Sequence, residues 1–282
     1  MPFIRSTFPW CACAVLFVSS APLRADEDLF FADLPIVASV SRLTQKLADA
    51  PTSVTVLDRD IIKASGARDL GDLLRLVPGF DTISRNTESS RVSYHGLTED
   101  DFSPRVQVLI DGRSQYSPLF ISGVNWSILP VALEDIERIE VVRGTNSASY
   151  GSNAFLGVIN IVTVDPALAQ GFSVSTNQGA QGVHDYSLRT GGKLGEVGNF
   201  RFTYQQKNDH GLTDRGDWTD SFKSQLFDLR ADFQLTPGDL LSLSLGQTKA
   251  VMPQGKLDEI TGANTWGDPI HDFSQSSTYF QA

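Results

Sequence analysis

From residue 171 onward, apolar and polar positions alternate one for one. Phe200, Phe202 and Tyr204 fall on one side, with Arg201, Thr203 and Gln205 on the other. Phe227, Leu229, Ala231, Phe233 and Leu235 alternate with Asp228, Arg230, Asp232 and Gln234. Leu241, Leu243 and Leu245 alternate with Ser242, Ser244 and Gly246. A period of two is the signature of a strand with two unlike faces. It predicts six strands, at about 172–179, 183–191, 199–208, 223–235, 239–248 and 273–281.

Strands of this length and pattern fit a transmembrane barrel. They also fit a soluble antiparallel sheet with one wet face. The connections favour the barrel. A tight turn at 236–239 joins two strands, whereas 210–221 and 250–272 are long and polar. Short turns on one rim and long loops on the other are a membrane-barrel asymmetry.

The segment before residue 166 obeys a different pattern. Residues 52–57 read as a strand rich in Val and Thr. Residues 60–64 read as a helical turn, broken at Gly66. Asp69 is placed to cap a second helix running to Val77, with Leu70, Leu73, Leu74 and Val77 on one face. Pro78-Gly79 ends it. Residues 80–104 are polar and rich in turn formers. Strands are predicted at 106–110, 136–142 and 157–163, the first closed by Asp111-Gly112 and the second by Arg143-Gly144. The predicted fold is therefore a mixed α/β domain followed by antiparallel transmembrane β-barrel strands.

The N-terminal stretch predicts a secretory signal over 1–25: Arg5, an apolar run at 8–21 and small residues before Asp26. A buried strand or a membrane anchor are the alternatives, but the run is too short for a spanning helix. Both cysteines, Cys11 and Cys13, lie within it. Residues 26–50 read as a linker containing a short extended apolar stretch at 35–41. That stretch suits strand addition to a partner's sheet edge, or a first strand of the next domain. The α/β domain is expected over 51–165 and the barrel strands over 166–282.

The net charge of −10 argues against nucleic acid, whose phosphates need clustered Lys and Arg. Four scattered histidines supply no metal site, and no cofactor is expected. Asp100-Asp101 are adjacent loop carboxylates, which is weak support for acid–base chemistry. Gly191-Gly192-Lys193 lacks phosphate-loop spacing. No catalytic residue is expected.

Several blocks carry a family likeness: PTSVTV at 51–56, LGDLL at 70–74, VPG at 77–79, VLIDGR at 108–113, IERIEVVRG at 136–144, YG at 150–151 with NA at 153–154, and GVINI at 157–161. In this order and spacing they make the chain resemble a TonB-dependent outer-membrane receptor, most sharply over its plug domain at 52–163. The family usually has Pro where Thr145 stands, which implies a local change in turn stiffness.

The resemblance implies a 22-stranded barrel filled by the plug, with about six strands falling in this chain and the rest beyond a C-terminal truncation. It implies an outer-membrane location, contact with lipid, a monomer when complete, and a TonB-type energy-coupling protein in the periplasm. Leu34, Pro35, Ile36, Val37, Ala38, Ser39, Val40 and Ser41 resemble the box that such a partner pulls. Substrate would bind on the outer side. Two loop sets are its candidate contacts: Arg85, Asn86, Arg91, Tyr94 and His95, then Gln115, Tyr116, Phe120, Asn125 and Trp126. Aromatic rings with polar rims suit that role, though Trp126 also reads as plug core. Glu137, Arg138, Glu140 and Arg143 are candidate plug–barrel pairs, or residues that solvate strand edges. The function implied is energised uptake of a scarce nutrient chelate of ferric siderophore, haem or cobalamin type. The alternatives are a passive pore or adhesion barrel with an accessory domain, and a soluble periplasmic module.

Overall fold

The computed structural model describes residues 36–37, 45–46, 52–83, 91–97, 105–116, 124–211, 221–254 and 269–282. A first short ladder pairs β1 (Ile36–Val37) antiparallel with β2 (Gln45–Lys46).

The α/β domain is built on a five-stranded sheet. Its strands are β3 (Ser53–Asp58), β6 (Val106–Ile110), β7 (Arg113–Ser114), β8 (Ile136–Arg143) and β9 (Gly157–Thr163), in the order β3-β8-β9-β6-β7. Only β6 and β9 run parallel. Between β3 and β6 lie α1 (Arg59–Ala64), α2 (Leu70–Leu73) and the hairpin of β4 (Phe80–Ile83) with β5 (Arg91–Tyr94). The one-turn α3 (Ser147–Tyr150) separates β8 from β9.

Asp58 caps α1, its Oδ1 accepting from the Ile61 amide at 2.8 Å. The helix expected to run to Val77 is instead a single turn, α2, continued as a 3-10 turn at Leu74–Leu76. The apolar face is as the pattern predicts, since Leu70, Leu73, Leu74 and Val77 are all buried in the core with Ile136, Ile139, Val141, Ile159 and Ile161. Asp69 makes no side-chain cap bond; its carboxylate is used elsewhere. Gly157 is required by close approach, because a Cβ there would lie 2.6 Å from the Val142 carbonyl oxygen.

The second body is a six-stranded antiparallel meander: β10 (Gly171–Gln178), β11 (His184–Leu194), β12 (Gly198–Asp209), β13 (Phe222–Thr236), β14 (Asp239–Gln254) and β15 (His271–Gln281). Its faces invert the rule for water-soluble sheets. Toward the α/β domain point Asp185, Ser187, Arg201, Thr203, Asp228 and Asp232, all buried. On the other face stand Phe172, Val174, Tyr204, Phe227, Leu245 and Phe280, all exposed. Phe280 is 70% exposed while Arg201 is 2% exposed. That arrangement suits lipid outside and a polar interior.

β14 runs six residues past the expected end at 248. Its far half pairs with β15 as far as Gln254↔His271. Here the alternation fails as a guide because Ala250 and Met252 are apolar yet buried, and β14 packs on the 3-10 turn Trp126–Ile128. β10 and β15 each pair on one side only and not with one another, so the described strands form an open wall rather than a closed barrel.

Candidate functional site

The functional feature that the fold builds is the seam between the α/β domain and the wall. Strand direction sets its levels. The turns at 195–197 and 237–238 mark one rim, and the longer connections at 179–183, 210–221 and 255–270 mark the other.

Toward the long-loop rim, Arg68 reaches the wall from the segment after α1, where Gly66 takes a positive φ of 66°. Its Nε and Nη2 donate to the two carboxylate oxygens of Asp185, each at 2.8 Å, and its Nη1 donates to Asp209 at 2.5 Å. Lys207 Nζ donates to the Arg68 carbonyl at 2.6 Å and to Asp69 at 2.8 Å. Burial lowers the Arg68 pKa, but its bonds to Asp185 and Asp209 outweigh that and leave it raised, so the guanidinium stays charged.

Midway, the 3-10 turn Leu133–Asp135 enters β8. Glu134 accepts hydrogen bonds from Ser175 of β10 and, at 2.9 Å, from Ser187 of β11. Its carbonyl accepts from Arg189 at 3.0 Å and Arg59 at 3.1 Å. Asp135 is fully buried beside Arg201 Nε at 3.6 Å and Arg189 Nη1 at 3.8 Å, yet neither of its oxygens accepts a hydrogen bond among the described residues. Burial raises its pKa against the opposing pull of Arg201, Thr203 and Arg189.

Toward the short-turn rim, Arg201 donates to the Val164 carbonyl at 2.7 Å and to Asp228 at 2.9 Å. Tyr279 donates to the same Asp228, and the Arg113 guanidinium stacks 3.8 Å above the Tyr279 ring. Burial lowers the Arg113 pKa in spite of nearby Tyr279, Asp228 and Asp111. Asp111 holds the turn after β6 at φ 46°. It accepts from Thr163 through N at 2.9 Å and Oγ1 at 2.6 Å, and from Arg230 of β13 at 3.5 Å.

The expected plug–barrel residues pair inside the α/β domain instead. Arg138 Nε donates to Glu140 at 2.7 Å, Glu137 lies 3.7 Å from Arg59, and Arg143 donates to Ser53 at 2.6 Å. The reason is position: β8 is an inner strand with β3 and β9 on either side. The seam is made by the turns that flank the strands. One sequence signal marked half of it, the charged positions on the polar face of the wall strands.

Among the described residues, the expected substrate contacts do not gather into one cluster. The Tyr94 ring lies 4.6 Å from Phe80 and 4.3 Å from His95, and Tyr94 packs on the core. Gln115 donates to the Arg113 carbonyl at 2.9 Å, and Tyr116 is exposed. Asn125 donates to Gln275 of β15, and Trp126 packs against the core. Arg91 belongs to β5, paired with Ile83. Arg85, Asn86 and Phe120 lie outside the described residues, as do Leu34, Pro35, Ala38, Ser39, Val40 and Ser41. Ile36 and Val37 form β1, so part of that stretch pairs with its own chain. No group of three or more His, Cys, Asp or Glu able to hold a metal occurs among the described residues.

The fold thus seats an α/β domain on the polar face of an antiparallel wall. Residues 46–158 match the family model of the TonB-dependent Receptor Plug Domain. That stretch is similar to the plug domain of the TonB-dependent receptors. A vitamin B12 transporter, BtuB, of Vibrio vulnificus (strain CMCP6) is 31% identical over 176 residues, which is 60% of this chain and 28% of that protein. An iron-regulated outer membrane virulence protein of Vibrio cholerae is 34% identical over 142 residues, 49% of this chain and 21% of that protein. Among solved structures, the ferripyoverdine receptor of the outer membrane of Pseudomonas aeruginosa superposes with a TM-score of 0.62 at 18% identity, covering 79% of this chain and 28% of that one. The ferric yersiniabactin uptake receptor FyuA from Yersinia pestis gives a TM-score of 0.56 at 17% identity, covering 80% and 37%. At those identities the likeness is one of fold. The chain spans less than a third of the length of the curated relatives it matches.

Proposed function

We propose that this chain is the plug and first wall strands of a receptor for energised uptake of a scarce nutrient chelate. The protein belongs to the outer membrane. The observation that carries the reading is the inverted wall: apolar side chains outward, and an inner face whose Arg, Lys and Asp groups engage the plug. A passive pore has no need of a folded domain bonded across its lumen at three levels.

The substrate class is a ferric siderophore, haem or a cobalamin. Relatives named for vitamin B12 transport and for iron regulation support that class without separating its members. Tyr116, whose ring is exposed, and the loops that flank β5 and β7 are the proposed contacts on the plug. The energy-coupling partner is a TonB-type protein that takes residues 34–41 by strand addition. Pairing of β1 with β2 occupies one backbone edge of that stretch, so the partner must use the other edge or displace β2.

Deletion of 34–41 from the receptor expressed from its own gene tests this. Surface binding of radiolabelled cyanocobalamin and of ferric hydroxamate and catecholate chelates is measured beside energy-dependent uptake. Uptake should stop while binding survives. Uptake that persists at the same rate is the passive-pore result. Recovery of the protein in the soluble periplasmic fraction is the result for a soluble module.

A further inference from the structure

We propose that the outer face of the wall carries a seat for a phosphate-bearing lipid headgroup, formed by Lys223 of β13 and Lys249 of β14 on the long-loop side of the apolar surface. The inference concerns the lipid and not the cargo. It rests only on the reading of the wall as lipid-facing.

Register sorts the outward side chains into rows that cross the strands. Thr190, Phe202, Leu229, Leu245 and Phe280 stand opposite one another from β11 to β15. In the next row toward the long loops, Leu188, Tyr204 and Phe227 are followed by Gln247 and Thr278. Those last two satisfy each other, the Gln247 amide donating to the Thr278 hydroxyl at 3.0 Å. One row further stand Tyr186, Gln206, Gln225, Lys249 and Ser276. The row beyond adds Asn208, Lys223, Val251 and Ser274. The outer face thus changes from apolar to polar at one level across neighbouring strands, as the edge of a lipid-facing apolar band does. Tyr186 and Tyr204, both exposed, put an apolar ring and a hydroxyl at that level.

The two ammonium groups stand on the polar side of this edge. Lys249 lies opposite Gln225 and Lys223 opposite Val251, so the lysines are diagonal neighbours on adjacent strands. Such positions are about 7–8 Å apart, within reach of long side chains. Both lysines are exposed, and among the described residues neither makes an ion pair. No other Lys or Arg of the described strands β10–β15 is turned outward. The carboxylates Asp185, Asp209, Asp228 and Asp232 are buried on the inner face. Asp272 is turned outward but lies opposite Pro253, past Val251.

Like charges held side by side are unfavourable without a counter-ion. The neighbours of this pair are amides and hydroxyls, of Gln206, Asn208, Gln225, Ser274 and Ser276, which donate hydrogen bonds to anionic oxygens. A lipid phosphate neutralises both ammonium groups and takes those bonds, while its acyl chains lie along Phe227, Leu245 and Phe280. Free phosphate would leave that apolar surface unused. The lysine stems can cover the upper edge of the same surface while their charges stay at the headgroups. The short-turn side offers no outward cation among the described residues, so the seat belongs to the leaflet at the long loops.

Binding by the receptor expressed from its own gene and purified in an uncharged detergent tests the proposal. The protein is titrated with lipid A carrying both phosphates, with the same lipid stripped of phosphate, and with inorganic phosphate, and bound lipid is read by native mass spectrometry. The phosphorylated lipid should bind far more tightly than the stripped one, and inorganic phosphate should not displace it. Lys223→Gln with Lys249→Gln should weaken binding about 30-fold, at roughly 5-fold per lysine. Lys223→Arg with Lys249→Arg should keep it. Equal affinity of the glutamine variant and the parent overturns the proposal. So does equal affinity for the stripped lipid, which would assign the contact to the acyl chains alone, or displacement by inorganic phosphate, which would mark a site for a free anion. The parent supplies a measurement that needs no variant to fold: binding should weaken steeply as salt is raised, and indifference to salt counts against the seat. Recovery of the unsubstituted receptor in the soluble periplasmic fraction overturns the lipid-facing wall itself, and the seat with it.

Discussion

Arg68 of the plug grips Asp185 of β11 through two parallel hydrogen bonds, Nε to Oδ2 and Nη2 to Oδ1, each 2.8 Å long. A paired geometry of this kind needs a planar guanidinium and is stronger than a single neutral bond. The third bond, to Asp209, neutralises a second carboxylate on the neighbouring strand. One plug side chain thus spans β11 and β12.

Arg68→Ala should therefore leave two inward carboxylates facing one another and lower stability by about 1.5–3 kcal/mol, the range for hydrogen bonds to charged groups. Arg68→Lys should fall between, since an ammonium offers no planar fork. Thermal unfolding of the detergent-solubilised receptor measures both. Equal melting of all three proteins would show that the clamp contributes nothing.

Asp135 sets a pH dependence whose sign follows from its raised pKa. The groups facing it are Arg189 of β11, Arg201 of β12 and Asp228 of β13. A folded pKa above the ordinary aspartate value means that the native state holds the proton more tightly than the unfolded chain. The resulting stability is fully present below about pH 4 and is lost as pH rises through the folded value. Asp135→Asn should remove this component, flattening the profile of melting temperature as pH rises from about 4. A variant whose profile overlies that of the parent would place the titration elsewhere.

Phe227 separates a lipid-facing wall from a soluble sheet. Its ring meets Phe202 at 5.1 Å on the outer face and is exposed. Phe227→Arg should cost about 2–4 kcal/mol if this position lies near the bilayer midplane, and yields of protein folded into lipid vesicles should fall accordingly. On a soluble sheet the same change at an exposed site would be near neutral.

The wall was legible in the sequence because a strand between lipid and a polar interior must alternate at every residue. All six expected strands exist, most with ends shifted by three residues or fewer. The exception, β14, marks where the interior itself turns apolar around Ala250 and Met252. The plug strands were legible through their turn residues and β-branched runs. The seam was not. Arg68 and Asp185 are separated by 117 positions and Arg201 and Asp228 by 27, and no periodicity tells which charge finds which. Glu137, Arg138, Glu140 and Arg143 drew attention as a dense charged motif, yet a motif inside an inner strand spends its charges on its own neighbours. The seam belongs to Asp69, Asp111, Glu134 and Asp135, which sit in turns or beside them and look like ordinary loop acids in the linear chain.

The inverted faces of the wall have a consequence for biogenesis. A sheet with phenylalanine and leucine outward cannot be finished in water and delivered afterward. Its inward guanidinium and carboxylate groups lose partners when the plug is unseated, so such a mutation should surface first as a lowered yield of folded receptor, before any effect on cargo is seen.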